Sequence, residues 1–557
     1  MSQLDWGILI ATLAAIVGYG VWKTRSTTDM HSYLKGDKNT KWWTVGLSVM
    51  ATQASAITFL STPGQAYYSG MGFVQFYFGL PIAMVIICYT FIPIYHKLKV
   101  YTAYEYLETR FDVKTRTLTA ILFLVQRGLA AGITIYAPAI ILSTILGWNL
   151  NYLNIIIGTL VIIYTVSGGT KAVNVTQKQQ MFVIMLGMFV AFFIILSMLP
   201  EGVGFMDSLS VAGAADKMNV IDFSWDPNNR YTVWTGVIGG TFLALSYFGT
   251  DQSQVQRYLS ADDMEQSRRG LIMNGLLKIP MQFFILLVGV MVFVFFQYNK
   301  SPLFFNPQGE AILQTEYAAE YQELEQNYEN IFNLKREALL DNNTDALASL
   351  LDEERHIREE AKAIIKKGLP TVESNDKDYV FISFILNYLP KGLVGLLLAM
   401  IFSAAMSSTA SELNALGTTS MIDIYKRSIK RDEDDQHYLK ASKWLTFLWG
   451  IIAICFACYG TLFENLIQLV NIIGSLFYGT ILGIFVVGFY MKFIKSRAVF
   501  IGAIISEAIV MGIYFFGDIG YLWLNLIGCL LVIAISFILQ SIWPASDGNS
   551  QLLDQNS

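Results

Sequence analysis

The stretch VGLSVMATQASAITFLSTPG, residues 45–64, is long enough to cross a bilayer, but its centre is neither apolar nor regular. The central residues MATQASA, 50–56, place small and hydrogen-bonding side chains at a depth where hydroxyl and amide groups are costly. We therefore predict a membrane helix that is interrupted near Ala51 and Ala54. Where it unwinds, main-chain carbonyl groups lose their helical partners and can bind a small cation. Close helix packing through small residues is the alternative.

The composition indicates a protein that crosses the membrane many times. Of 557 residues, 54% are apolar and 15% charged, and the mean hydropathy is +0.46, well above the range of soluble domains. Thirteen apolar runs have spanning length. They are 6–22, 44–63, 71–95, 117–147, 152–168, 179–199, 232–254, 271–298, 391–424, 443–461, 465–491, 498–516 and 520–542.

Lysine and arginine collect in alternate loops, after the first, third and fifth runs and onward with the same parity. This pattern predicts an N-terminus outside and a C-terminus in the cytoplasm, in the cell or inner membrane. The apolar runs and a Glu-rich stretch divide the chain into a transport core in two parts, 1–300 and 377–543, an outer helical hairpin, 301–376, and a short cytoplasmic tail, 544–557. The charged hairpin faces are typical of solvated surface, with partner docking as the alternative.

A second interrupted run, 232–256, contains Gly239, Gly240 and Gly249 and ends in the polar sequence DQSQVQ. It begins five spans after the first interrupted run, so the two cross the bilayer in opposite directions. That offset is expected for two five-helix halves related by an inverted repeat. Runs two to six would form one half, and runs seven to eleven the other.

A hydroxyl-rich face lies in the ninth run. On a helix, Ala404, Ser407, Ser408 and Ser411 share one side. Two hydroxyls and one carbonyl from this face, with two carbonyls from the interruption near Ala51, would give about five oxygens, a suitable set for Na+. A simple helix contact through the serines is the alternative.

Several motifs make the chain resemble the sodium/solute symporter family, which includes the sodium/glucose, iodide, monocarboxylate and multivitamin cotransporters. They are TAYEYLETRF at 102–111, IYAPAIIL at 135–142, YTVSGGTKAV at 164–173, DQSQVQRYLSA at 251–261 and FSAAMSSTASELNA at 402–415. The resemblance implies a LeuT-like all-α fold and an aromatic gate at Tyr247. It also implies a sodium site at Ala51, Ala54, Ala404, Ser407 and Ser408.

Two departures from the family shape our expectations. Where members with a second sodium site have Asp, this chain has Gln177, and Ala410 replaces a hydroxyl of that site, so we expect one Na+ per substrate. The polar residues that bind sugar are also missing, which favours a small polar or anionic solute such as a monocarboxylate over a hexose. A sodium/sugar symporter is the alternative. The predicted substrate and gate residues are Gln53, Thr58, Tyr77, Tyr136, Tyr247 and Asn471.

Two cations, Arg127 and Lys278, fall within apolar spans and need partners there. We expect structural pairing for both, with contact to substrate or snorkelling as the alternatives.

Taken together, the sequence predicts a sodium-coupled importer that works by alternating access, driven by the sodium gradient and membrane potential. Its partners would be Na+, a small-molecule substrate and the lipid bilayer, with no nucleic acid. A channel would need continuous polar faces along a pore. An enzyme or sensor would need a catalytic constellation, and the four histidines all lie in loops, apart from one another in sequence.

Overall fold

The computed structural model describes residues 1–24, 41–261, 263–341, 343–368, 375–459 and 465–543. Within these ranges the chain is helical almost throughout. Its α-helices are α1 (Gln3–Thr24), α2 (Trp42–Gln53), α3 (Ala56–Ser69), α4 (Leu80–Tyr89), α5 (Phe91–Leu98), α6 (Glu105–Arg110), α7 (Val113–Leu146), α8 (Leu150–Ser197), α9 (Phe205–Ala214), α10 (Gly240–Gly249), α11 (Gln252–Leu259), α12 (Met264–Tyr298), α13 (Pro307–Glu316), α14 (Ala318–Leu340), α15 (Thr344–Gly368), α16 (Lys377–Tyr388), α17 (Leu393–Thr419), α18 (Asp435–Tyr459), α19 (Leu466–Tyr490), α20 (Ser496–Phe516) and α21 (Tyr521–Ile542).

Among the described residues, nine helices are long and apolar enough to cross a membrane, and three shorter apolar helices accompany them. A single helix, α8, covers both the fifth and the sixth predicted runs. The predicted number of thirteen spans therefore stays a prediction. The predicted tail, 544–557, lies outside the described residues.

The first predicted interruption is present. Helix α2 ends at Gln53, Ala54 leaves the helical region at φ −83° and ψ 73°, and Ser55 is extended at φ −77° and ψ 174°. Helix α3 then begins at Ala56. Two residues without helical geometry thus separate two buried half-helices, as the small polar residues predicted.

The second interruption lies just after Gly249, the last of the three glycines in the predicted run. A π-helical turn, Thr235–Gly239, leads directly into α10, and the chain becomes extended at Asp251 (φ −77°, ψ 118°) before α11. Gly240 instead permits close packing, because a Cβ there would lie 2.7 Å from the carbonyl oxygen of Phe76. This glycine brings two helices together and does not break one.

The broken helix lies at the centre of the membrane core. Helix α2 packs against α8 and α12, and α3 packs against α12, α16 and α17. Helix α17 is buried along nearly its whole length, between α7, α8 and α18. The hydroxyl-rich face of α17 therefore meets the interruption inside the protein.

The two predicted hairpin helices, α14 and α15, pack against each other. They share a separate apolar cluster that includes Tyr328, Ile357 and Ala361. Arg358 holds the hairpin to the end of α12, since its guanidinium donates to the carbonyl oxygen of Leu303 (2.8 Å) and the hydroxyl of Ser301 (2.5 Å). The division of the chain into core, hairpin and tail stays a prediction.

Candidate functional site

A cavity lies beside the first interruption, between α2, α3, α7, α10, α17 and α19, and has a volume of about 80 Å³. That volume holds several water-sized groups. Five of the six predicted substrate and gate residues line it: Gln53, Thr58, Tyr77, Tyr247 and Asn471. The sixth, Tyr136, is half-buried on α7 and is not among the described residues that line this cavity.

The structure brings the interruption and the hydroxyl-rich face of α17 together. The hydroxyl oxygens of Thr52, on α2, and Ser411, on α17, lie 3.5 Å apart. Ser411 in turn donates to the carbonyl oxygen of Ser407, at 2.9 Å. The residues predicted to hold Na+ therefore lie on two segments in direct contact.

All five predicted sodium ligands are buried: Ala51, Ala54, Ala404, Ser407 and Ser408. The hydroxyl oxygens of Ser407 and Ser408 have no hydrogen-bond partner among the described residues. A buried hydroxyl without a partner costs about 1–3 kcal/mol. A cation at this position would supply the missing interaction, so the residues present fit a Na+ ion.

Gln177, where the sequence predicts the loss of a second sodium site, is buried and fully hydrogen-bonded. Its amide nitrogen donates to the hydroxyls of Thr52 (3.0 Å) and Ser411 (3.2 Å), and its amide oxygen accepts from Ser48. Ala410, beside Ser411, is fully buried and has no hydroxyl to offer. Protein groups thus satisfy the polar atoms around Gln177, in contrast to the partnerless hydroxyls of Ser407 and Ser408.

A buried charge cluster forms one wall of the cavity. The guanidinium of Arg127, on α7, makes ion pairs with Asp251, at the second interruption, and with Glu412, on α17, the latter at 3.1 Å. Tyr478 of α19 joins the cluster, since its hydroxyl donates to Asp251 at 3.0 Å and accepts from Arg127 at 2.6 Å. The expected structural partner for Arg127 is therefore present. Losing one member of such a pair costs about 3–5 kcal/mol, because it leaves an unpaired charge buried.

The cluster also contacts Tyr247, the predicted gate residue. The ring of Tyr247 lies 5.3 Å below the guanidinium carbon of Arg127, and its hydroxyl accepts a 2.6 Å hydrogen bond from Gln254. The other carboxylate oxygen of Glu412 accepts from Thr134 at 2.8 Å. Arg127 thus connects Tyr247 of α10 with Glu412 of α17 and Tyr478 of α19.

Lys278, on α12, is fully buried, and its ammonium has no hydrogen-bond partner among the described residues. It lies 5.6 Å from the ring centre of Tyr77, which lines the cavity. A cation–π contact compensates only part of the cost of burying a charge. The structural pairing expected for Lys278 is therefore limited to this ring.

The sequence reasoning did not identify Glu412 or Tyr478 as part of the site. Glu412 carried a usable signal, because a carboxylate in an apolar span generally marks a functional position. Tyr478 carried none, since aromatic residues are common in membrane cores.

Comparison with known proteins identifies the family of this chain. The model of the sodium:solute symporter family matches residues 33–324 and 363–506. The sodium/sialic acid symporter SiaT of Proteus mirabilis (strain HI4320) is 26% identical over 95% of this chain and 93% of its own length. The sodium-coupled monocarboxylate transporter 1 of Xenopus laevis is 28% identical over 90% of this chain and 70% of its own.

A solved structure has the same fold. It is the substrate-bound, outward-open state of a Na+-coupled sialic acid symporter, 25% identical in sequence, with a TM-score of 0.76 over 97% of this chain and 98% of that one. The family resemblance and the LeuT-like helical fold predicted from the sequence are thereby confirmed.

Proposed function

This chain belongs to the sodium:solute symporter family, and from that premise we propose that it imports a small carboxylate-bearing solute together with one Na+ ion. It is a multi-pass, sodium-coupled transporter and not an enzyme. The direction of transport, the number of ions and the class of substrate are proposals.

The proposed sodium ligands are the carbonyl oxygens of Ala51, Ala54 and Ala404 and the hydroxyl oxygens of Ser407 and Ser408. The observation that carries the proposal is the pair of buried serine hydroxyls without a partner, next to a segment whose helix is interrupted. Sodium bound there would hold the broken helix against α17. An ion that binds one arrangement of two moving parts more tightly shifts the population towards that arrangement.

A single coupled ion is proposed because the second possible position is already occupied by protein. The neutral amide of Gln177 provides no negative charge, and it hydrogen-bonds Thr52 and Ser411 directly. A second Na+ would have to displace those bonds with no carboxylate to compensate for its desolvation.

A carboxylate-bearing substrate is proposed because an unpaired cation lies next to the cavity. The Lys278 ammonium contacts the ring of Tyr77 but no hydrogen-bond acceptor among the described residues. A carboxylate reaching it would form the charge-assisted hydrogen bonds that the protein does not provide. Two relatives are named for sialic acid and for monocarboxylates, and both kinds of substrate carry a carboxylate group.

The proposed inner gate is the contact of Arg127 and Tyr247 with Asp251. Asp251 belongs to the second interrupted span, whereas Arg127 lies on α7, so the ion pair joins two parts of the molecule that would separate when the cavity opens. On the predicted topology this gate faces the cytoplasm, and the α14–α15 hairpin faces outside. We place the protein in the cell or inner membrane with its N-terminus outside.

Uptake into proteoliposomes tests these proposals. The full-length protein would be offered labelled lactate, pyruvate, N-acetylneuraminate and glucose with an inward sodium gradient or an equal choline gradient. We expect sodium-dependent uptake of at least one acid and none of glucose. Sodium-dependent uptake of glucose alone would contradict the carboxylate proposal and favour the sugar alternative.

A further inference from the structure

We propose that the hairpin and the membrane helices enclose between them a second binding site, for a monovalent anion of carboxylate size. The cavity lies where α15 covers the end of α3 and has a volume of about 60 Å³, enough for a few water-sized groups. It is separate from the cavity beside the first interruption. Its lining includes Tyr67, Tyr68, Lys217, Phe293, Arg355 and Arg358.

The lining carries an excess of positive charge. Lys217, Arg355 and Arg358 are cationic, and Glu354 is the carboxylate among the described lining residues. Glu354 is already engaged, because it pairs with Lys335 and accepts from Arg358 at 2.9 Å. Arg355 pairs with Asp352 at 3.0 Å on the exposed side of the cavity. Lys217 is therefore the lining cation that makes no ion pair among the described residues.

Lys217 is the best-placed ligand. The residue is 9% exposed, and its ammonium donates one hydrogen bond, at 2.5 Å, to the carbonyl oxygen of Tyr68. An ammonium has three N–H donors, so two remain for a ligand. The ammonium also lies 5.1 Å from the ring centre of Phe293, and the main chain of Lys217 accepts from Met71 at 2.8 Å. Lys217 thus fixes the end of α3 while keeping donor capacity.

The charges around Lys217 favour an anion. Burial, together with Arg355 and Lys377, lowers the pKa of Lys217 to about 8, against the opposing effects of Glu354 and Asp216. A bound anion would offset the positive neighbours and raise this pKa. Anion binding is then expected to weaken as the pH rises above about 8.

The site gives the hairpin a role. Much of the hairpin, 325–362, falls in the gap between the two matched parts of the family model. Arg355 and Arg358 reach from this inserted part to the end of α3, the half-helix that follows the proposed sodium position. An anion between them would join the hairpin to a helix expected to move. That role rests on the proposed function, because it assumes the predicted topology and an acidic substrate. The existence of the anion site does not depend on either.

Amine labelling tests the site locally. The full-length protein in choline medium without sodium would be treated with limiting acetic anhydride at pH 8, and the acylation of Lys217 compared by mass spectrometry with that of exposed Lys366 on the same hairpin. We expect lactate to slow labelling of Lys217 by about threefold or more relative to sulfate, a divalent anion, at equal ionic strength, and to leave Lys366 unchanged.

A parallel measurement with chloride distinguishes a site for organic acids from a site for monovalent anions in general. Protection by lactate alone assigns the site to the organic acid, and protection by chloride as well assigns it to monovalent anions in general. No protection by either anion would overturn the proposal.

A matched pair of variants tests the charge. Arg355 is 68% exposed at its side chain, so Arg355→Gln should fold normally, and Arg336→Gln removes an exposed charge from the same hairpin. We expect Arg355→Gln to weaken the protection by lactate about two- to fivefold and Arg336→Gln to have no effect. An equal loss of protection in both variants would show only a general electrostatic effect of the hairpin charges and would refute a specific site.

Uptake then relates the site to transport. If the anion site feeds the main cavity, Arg355→Gln should raise KM for the transported acid and leave kcat unchanged. Because the labelling is measured without sodium and without transport, its outcome stands even if no carboxylate proves to be a substrate.

Discussion

The guanidinium of Arg127 is ion-paired with the carboxylate of Asp251, the residue at which the second interrupted span becomes extended. The pair connects the two halves of the proposed inner gate across 124 residues of sequence. Both groups are almost completely buried, so their interaction is only weakly screened by solvent. Opening the gate therefore requires another partner for at least one of the two charges.

Glu412 is suited to be that partner. It already contacts Arg127, and it lies on α17, a different helix from the one that Asp251 precedes. We expect Arg127→Gln to lower the free energy of unfolding by about 3–5 kcal/mol, because two buried carboxylates lose their cation. The double variant Arg127→Gln/Glu412→Gln should recover part of this loss in thermal melts of the full-length protein. If the losses of stability from Arg127→Gln and Glu412→Gln simply add in the double variant, Arg127 and Glu412 do not interact.

Removal of one serine hydroxyl should weaken sodium binding. Ser408→Ala deletes a proposed ligand, and we expect the sodium concentration for half-maximal uptake to rise about tenfold or more. Ser442→Ala, which removes another buried hydroxyl without a hydrogen-bond partner, on α18, serves as the control and should leave sodium dependence unchanged. A normal sodium dependence in Ser408→Ala would place the ion elsewhere.

The number of coupled ions should change when the second position is rebuilt. Gln177→Asp combined with Ala410→Thr restores a carboxylate and a hydroxyl next to Ser411. The Hill coefficient for sodium, expected to be about one in the natural protein, should then exceed one. Ala410→Thr alone, which adds no charge, should leave it near one. A coefficient clearly above one in the unmodified chain would contradict the single-ion proposal.

Substitution of Lys278 distinguishes a contact with the substrate from a purely structural role of this side chain. Lys278→Met removes the charge but keeps most of the length, and the proposed carboxylate contact predicts at least about a tenfold loss in kcat/KM for the acid. Sodium binding and the melting temperature should stay close to those of the natural protein. Lys278→Arg should keep part of the activity. If Lys278→Met transports the acid normally, the side chain is structural, as the sequence alone suggested.

The hairpin should lose stability in acid. Burial alone would raise the pKa of Glu354, but Lys335 and Arg358 lower it from 4.5 to about 2. Because the folded pKa lies below the unfolded one, this carboxylate stabilises the fold above pH 4.5, by about 3 kcal/mol, and the contribution is lost as the pH falls towards 2. Limited proteolysis of the hairpin should become faster as the pH falls from 5 to about 3. In Glu354→Gln the hairpin should already be labile at pH 7, and this acid dependence should be absent.

Local sequence patterns predicted the parts of the site that depend on local chemistry. Thr52, Gln53 and Ser55 made an uninterrupted apolar helix costly, and the chain leaves the helix at Ala54. Helix α10 ends at Gly249, next to the second interruption, whereas Gly239 and Gly240 serve packing against Leu522 and Phe76, which sequence spacing cannot reveal.

The charge cluster required the tertiary structure. Arg127 and Glu412 are 285 residues apart, and nothing near either residue indicates the other. An intramembrane arginine shows that a partner must exist, but not which one. The sequence also does not predict that Lys217 lines the hairpin cavity, because this depends on how the loop before the second interrupted span folds back on α3.

The topology predicts that the α14–α15 hairpin lies outside the lipid. Its helices share an apolar cluster, and Arg358 binds it to Leu303, in the segment that follows α12. Antibody fragments raised against its exposed face would add recognisable mass for single-particle imaging without occupying the permeation route. A fragment that wedges between α15 and the tip of α3 would, by the same contacts, act as an inhibitor that never enters the bilayer.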